Sequence, residues 1–203
     1  KVAFARKNIK IVGINDVADT KTLAHLLKYD TAYGKYDKEV SFDEQHIIVA
    51  GEKIPVFAEK DPSLLPWGKL KVDVVLECTG RFTDKAGASL HLKAGAKKVV
   101  ISAPAKGGDV PTYVRAVNCA KCNKETSPVI NSASCTTNNI GPVMAVLNEE
   151  FGIEKAMMST IHAYTAEQNI HDAPPPGLKS GDLRRARAAA ANIVPTTTGA
   201  AIA

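Results

Sequence analysis

Along its length the chain alternates strand patterns with helix patterns. That alternation narrows its possible folds more than any other feature, because successive β-α-β units close into a parallel sheet with helices packed on it. Val2 to Arg6 reads as the end of a helix, and Ile9 to Asn15 as an apolar strand running into an acidic residue, Asp16. Thr20 to Leu27 has helical spacing. Asp73 to Cys78 reads as a buried strand ending at Thr79-Gly80, Lys85 to Ala94 as a helix stopped by Gly95, and Lys97 to Ser102 as a third buried strand. Ligands of such sheets bind outside the carboxyl ends of the strands. Asp16, Thr79, Gly80 and Ser102 occupy those ends.

A second signal lies beyond the sheet. Ser134-Cys135-Thr136-Thr137-Asn138 follows the β-rich run Ser127 to Asn131 and precedes Ile140, Val143, Met144 and Leu147, which recur at helical steps. The spacing puts Cys135 at a helix N-terminus. Unpaired N–H groups and the helix dipole there favour thiolate and lower a cysteine pKa from about 8.5 by one to several units. After the helix ends near Phe151-Gly152, Ile153 to His162 is apolar and partly β-branched, and reads as a returning strand. A helix of about 15 residues is roughly 22 Å long and about seven strand residues cover the same distance, so the return carries His162 to the cysteine. A lone cysteine is more often a small buried hydrophobe, and a lone histidine a satisfied strand-end residue. Found together with Ser134, Thr136, Thr137 and Thr165, they read as a thiol site for a phosphorylated substrate.

Composition removes other classes. Of 203 residues 45% are apolar and 23% charged, the balance of a globular chain rather than a disordered one. No apolar run approaches the roughly 20 residues of a membrane span, and no signal-type segment opens the sequence, so no membrane partner is expected and the cytoplasm is the expected compartment. Four unevenly spaced cysteines do not make a disulfide framework, and a catalytic thiol needs a reducing setting. Cys78 reads as a strand-end core residue. Cys119 and Cys122 have the spacing of half a zinc or redox site, with no second C-x-x-C or histidine pair, so no metal is expected. The net charge of +5 suits anionic small molecules or nucleic acid without choosing between them. Its one dense cluster, Arg184-Arg185-Ala186-Arg187, is of a kind that is usually a solvated or interfacial face.

At the cysteine pentapeptide and at Thr160 to Thr165 the chain resembles the glyceraldehyde-3-phosphate dehydrogenase family. The likeness continues, in the family's order, through Gly13 to Asp16, Thr22 to Asp30, Glu77 to Phe82, Ala94 to Pro104 and Pro195 to Ala201. It implies a Rossmann-type parallel sheet with its N-terminal unit missing over residues 1–133, and the start of an α+β catalytic domain over 134–203. Asp16 is chemically suited to both hydroxyls of an adenosine ribose and would repel a 2′-phosphate, which favours NAD over NADP. A strand-end aspartate is otherwise often only a turn former, so that role depends on the sheet and on the resemblance. Lys60, Thr79, Gly80 and Ser102 complete the implied cofactor set.

The resemblance also implies a reaction. Cys135 adds to the aldehyde of glyceraldehyde-3-phosphate, His162 and the Cys135 N–H stabilise the thiohemiacetal oxygen, and His162 takes its proton. Hydride leaves to NAD, and inorganic phosphate then releases the acyl group as an acyl phosphate. Ser134, Thr136, Thr198 and Gly199 resemble the site for the attacking phosphate, Thr165 the site for the substrate's own phosphate, and Arg185 the arginine of bacterial-type members. Read without the family, Thr196 to Thr198 are as well explained as strand or turn residues. A homotetramer is the implied assembly, and nucleic acid is not an expected partner.

Some positions depart from the family pattern. Asn139 stands where most members have a second cysteine, and Lys60 keeps the charge but not the planar fork of the usual arginine. Asp172 to Leu183, with its proline run, and Ala120 to Thr126 read as longer than usual. No glycine-rich pyrophosphate loop opens the chain, so it is expected to be an internal fragment, catalytically crippled by itself. Two alternatives stand beside this reading: erythrose-4-phosphate dehydrogenase, which shares the thiol chemistry, and a non-catalytic binding fragment.

Overall fold

The computed structural model describes residues 1–123, 127–174 and 182–201. Part of the expected insertion, Lys124 to Thr126, and part of the proline-rich loop, Pro175 to Gly181, lie outside the described residues. The chain divides into two compact units, Lys1–Tyr113 with Cys122–Ala133, and Val114–Lys121 with Ser134–Ala203.

The first unit is α/β, with a parallel sheet of Rossmann type. Its strands β5 (Val74–Glu77), β6 (Lys98–Ile101) and β7 (Val129–Asn131) pair in that order, all parallel, with Val75 opposite Val99 and Val99 opposite Val129. Helix α2 (Lys85–Lys93) makes the crossover from β5 to β6. Asp84 caps it by accepting the Gly87 N–H at 2.7 Å. Val99, Ile101, Val129, Ala88 and Trp67 form the centre of the core around this sheet.

A second, mixed sheet has the order β1-β4-β3-β2. Strand β1 (Ile14–Asn15) runs parallel to β4 (Glu52–Phe57), while β2 (Val40–Phe42), β3 (His46–Val49) and β4 form an antiparallel meander. The β3–β4 turn is Ala50-Gly51, both with positive φ, the twist a two-residue hairpin requires. Helix α1 (Thr20–Lys28) starts at Asp19, whose carboxylate accepts the Thr22 N–H at 2.8 Å.

Several expectations need correction. The strand expected from Ile9 is paired only at Ile14 and Asn15, because only these face partners on β4. Strand β5 is buried on one face alone: Val75 and Glu77 point inward, while Val74 and Leu76 are 49% and 64% exposed. The same alternation turns Cys78 outward, so it is exposed rather than a core residue. The helix end at Val2 to Arg6 is a 3-10 turn over Ala3–Ala5. In the second unit, α3 (Cys135–Phe151) has the expected bounds, but Ile153 to His162 is not a strand. No described strand pairs with it, so its backbone has no ladder, and Met157 and Ile161 stand fully exposed.

One backbone contact fixes how α2 returns to β6. Gly95 ends the helix with φ +101, and a Cβ there would lie 2.6 Å from Gly68 Cα and 2.7 Å from Gly68 N. Gly95→Ala is therefore expected to destabilise the unit by about 2–4 kcal/mol, combining a left-handed backbone with a clash that no side-chain rotation relieves. The measurement is the denaturant midpoint, which should fall while the slope of the transition stays at the wild-type value.

Candidate active site

Ser134 begins α3 in extended geometry, and its Oγ accepts the Thr137 N–H at 3.0 Å. Cys135 is the first helical residue, so its sulfur stands among the unpaired N–H groups of the first turn. The Cys135 Sγ lies 3.2 Å from Nε2 of His162. On the other side of the imidazole, Nδ1 lies 2.6 Å from the Ala163 carbonyl oxygen, which can only accept. Nδ1 therefore carries a proton and Nε2 faces the sulfur.

The electrostatics follow from these contacts. The hydrogen bond from His162 is the main cause holding the Cys135 thiol below its ordinary pKa. Burial opposes it, and the imidazole charge and the Thr136 N–H and hydroxyl reinforce it. His162 is pushed up, first by the Ala163 carbonyl and then by the sulfur. Both shifts favour a thiolate-imidazolium pair. Each side chain is exposed to solvent, so the pair is reachable by a substrate.

The expected phosphate donors are less gathered. Thr136 is beside the sulfur, whereas the Ser134 hydroxyl is engaged in capping. Arg185 donates to Glu167 at 2.5 Å and to the Thr196 hydroxyl at 2.9 Å. Thr165 Oγ1 accepts the Glu167 N–H at 3.4 Å, and Thr198 Oγ1 the Ala200 N–H at 3.2 Å. Gly199 is exposed with open space where a Cβ would be. Among the described residues no hydrogen bond links Thr165, Arg185 or Thr198 to the Cys135–His162 pair. The arginine cluster is laced with acids, Arg184 and Arg185 with Asp182 and Arg187 with Asp172, so it is not an open basic face. Cys119 and Cys122 are free and exposed, and among the described residues no group of three or more His, Cys, Asp or Glu could hold a metal.

On the first unit, Asp16 follows β1 and is exposed; its Oδ1 accepts the Ala18 N–H at 2.9 Å. Asn15, which sequence reading passed over, exchanges two hydrogen bonds with the backbone of Glu59, each 2.9 Å, and so ties the end of β1 to the segment that carries Lys60. Thr79 and Gly80 form the turn after β5, and Ser102 follows β6, its N–H donating to the Glu77 carbonyl at 3.0 Å.

Comparison with known proteins decides the family. Residues 1–85 match the family model described as glyceraldehyde 3-phosphate dehydrogenase, NAD binding domain, and residues 134–203 match the C-terminal domain of the same enzyme. The chain belongs to the glyceraldehyde-3-phosphate dehydrogenase family. It is 53% identical over 207 residues to the glyceraldehyde-3-phosphate dehydrogenase of Thermotoga maritima, covering 99% of this chain and 59% of that protein. It is 51% identical over 201 residues to that of Geobacillus stearothermophilus, covering 99% and 58%. The A enzyme of Scenedesmus vacuolatus, named as chloroplastic, is 52% identical over 194 residues, covering 95% and 60%. The chain thus spans about three fifths of the length of these curated relatives.

NAD is the cofactor of the domain to which residues 1–85 belong. The residues present fit it. Asp16 Oδ2 makes no hydrogen bond among the described residues and can take a ribose hydroxyl, and Gly80, with φ +71, has nothing within 4 Å of its Cβ direction, which leaves its backbone open to close approach. Among the described residues no helix is long and apolar enough to cross a membrane.

Proposed function

We propose that the protein oxidises glyceraldehyde-3-phosphate with NAD and inorganic phosphate to an acyl phosphate, 1,3-bisphosphoglycerate, and that Cys135 is the nucleophile. The observation that carries this reading is the 3.2 Å approach of His162 Nε2 to Cys135 Sγ at the start of α3, within a chain of this family. Residues 1–133 would serve as the NAD-binding part and 134–203 as the catalytic part.

The residues of the chain account for the steps. The Cys135 thiolate adds to the aldehyde carbon, and the carbonyl electron pair moves to oxygen, where the Cys135 N–H and His162 stabilise it. His162, protonated while paired with the thiolate, gives its Nε2 proton to that oxygen and later removes it as the carbonyl re-forms. NAD, when bound, supplies the two-electron acceptor that takes hydride from this carbon and leaves a thioester on Cys135. Phosphate then attacks the thioester carbon, the C–S bond breaks, and Cys135 departs as thiolate, stabilised again by His162. Asp16, Lys60, Thr79, Gly80 and Ser102 would hold the cofactor. Ser134, Thr136, Thr198 and Gly199 would receive the attacking phosphate and Thr165 the substrate's phosphate, with Arg185 a further phosphate donor once it exchanges Glu167 for the anion, a charge-assisted swap that guanidinium geometry suits. A homotetramer and a reducing compartment, the cytoplasm, are the setting we assign.

The test is NADH formation by the intact protein with glyceraldehyde-3-phosphate and NAD, with and without inorganic phosphate. Rapid turnover that depends on phosphate supports the reading. Turnover indifferent to phosphate would move it to the erythrose-4-phosphate type, and none in a folded protein to a binding role.

A further inference from the structure

We propose that the buried chain Trp67–His91–Glu77 is a positioning device for the Thr79-Gly80 turn, with Glu77 as the residue that sets the turn's path for the dinucleotide. This rests on the assignment of that turn to the cofactor under Proposed function. Glu77, His91 and Trp67 are 3%, 4% and 5% exposed, so a carboxylate, an imidazole and the only tryptophan of the chain share one dry site. The Trp67 indole N–H donates to His91 Nδ1 at 3.0 Å. An indole nitrogen can only donate, so Nδ1 is the acceptor and the imidazole proton sits on Nε2, which donates to Glu77 Oε2 at 2.9 Å.

The other oxygen of Glu77 faces the turn. Oε1 accepts the Thr79 N–H at 2.7 Å and also the Thr79 hydroxyl, and Thr79 Oγ1 in turn accepts the Arg81 N–H at 3.1 Å. Burial works against the carboxylate, but the bonds from His91 and Thr79 outweigh it and hold its carboxyl below the ordinary value. An apolar side chain would fill this inward position of β5 without any such network. What the carboxylate adds is direction: it anchors two successive odd-numbered N–H groups of the turn, 79 directly and 81 through the hydroxyl, and leaves Gly80 between them with its positive φ. Glu77 touches no reacting atom. It acts through Thr79 and Gly80.

Glu77→Gln is the informative change, because an amide cannot serve both sides. With His91 fixed by Trp67 as an Nε2 donor, the new NH2 must face either that donor or the two donors of Thr79. In the intact protein the affinity for NAD, measured by calorimetry, should weaken about tenfold. KM for NAD should rise with it, while kcat at saturating NAD and KM for the aldehyde stay at wild-type values. Without cofactor, hydrogen exchange at the Thr79 and Arg81 amides should quicken. His91→Leu, which removes both contacts, should act in the same direction, and His91→Gln, which can still accept from Trp67 and donate to Glu77, should keep NAD affinity within about twofold. This pair decides the matter if Glu77→Gln fails to fold. Wild-type NAD affinity and amide exchange in Glu77→Gln or His91→Leu would overturn the proposal, as would losses of affinity that merely track melting temperature with no change at Thr79 and Arg81. An unsubstituted protein that binds no NAD would overturn the cofactor assignment of the turn, and the proposal with it.

Discussion

Replacing Cys135 with serine is expected to lower turnover by at least about a thousandfold, the scale seen when an enzyme loses its nucleophile. The substitution is small and isosteric, at the exposed first position of α3, where serine is as acceptable as cysteine. Folding should therefore be unaffected. What changes is ionisation: the contacts that draw a thiol down, His162 first, act on a group already within reach of neutral pH, whereas a hydroxyl starts far above it. The imidazole can still accept a hydrogen bond from the new hydroxyl, so the geometry survives without a pre-formed anion. The measurement is NADH formation by matched wild-type and variant proteins of equal melting temperature. Activity within tenfold of wild type would remove Cys135 from the role of nucleophile and leave the pair at the helix start as a structural contact.

How much of this could be read from the sequence depended on whether the signal was local. The start of α3 was legible because Ser134, Cys135 and the apolar spacing after them are consecutive, and a cap followed by helical periodicity needs nothing distant. The parallel strands β5 and β6 were legible for the same reason, as short β-branched runs beside a capped helix. The approach of His162 to Cys135 was expected from a returning strand matched in length to α3; the two side chains do meet, but the segment leading to His162 forms no ladder, so the route differs from the one expected. What escaped was relational. The burial of Glu77 depends on the Trp67 and His91 contacts, which lie 24 and 14 residues apart in sequence. Strands β2 to β4 were passed over because β2 and β3 are short and β4 contains Pro55, which argues against a strand, and only the mutual register of the three reveals them. The exposed Cys78 was misread because β5 is buried on one face only, with Val75 and Glu77 inward, and the next position in that alternation faces out. Arg185 was visible as a cation, but its pairing with Glu167 and Thr196 was not.

The second large effect concerns His162. Substitution by glutamine removes the titrating partner and keeps a polar side chain of similar reach. Because His162 holds the thiol low and the sulfur helps hold His162 high, there is a pH window between the lowered thiol value and the raised imidazole value in which the pair exists as thiolate and imidazolium. Below the window the sulfur is protonated; above it the imidazolium loses its proton and the thiolate remains. In wild type, alkylation by iodoacetamide should therefore begin at a pH below the ordinary thiol range and stay high through neutrality. In His162→Gln the onset should move up toward about 8.5, checked only by the helix terminus and Thr136, with the two profiles converging at high pH where both sulfurs are ionised. Turnover should fall by about a hundredfold to ten-thousandfold, since the same group supplies and removes the proton on the thiohemiacetal oxygen. The two readouts separate two roles. A shifted alkylation profile with near-normal turnover would make His162 an activator of the thiol only, and an unchanged profile would assign the thiolate to the start of α3 alone.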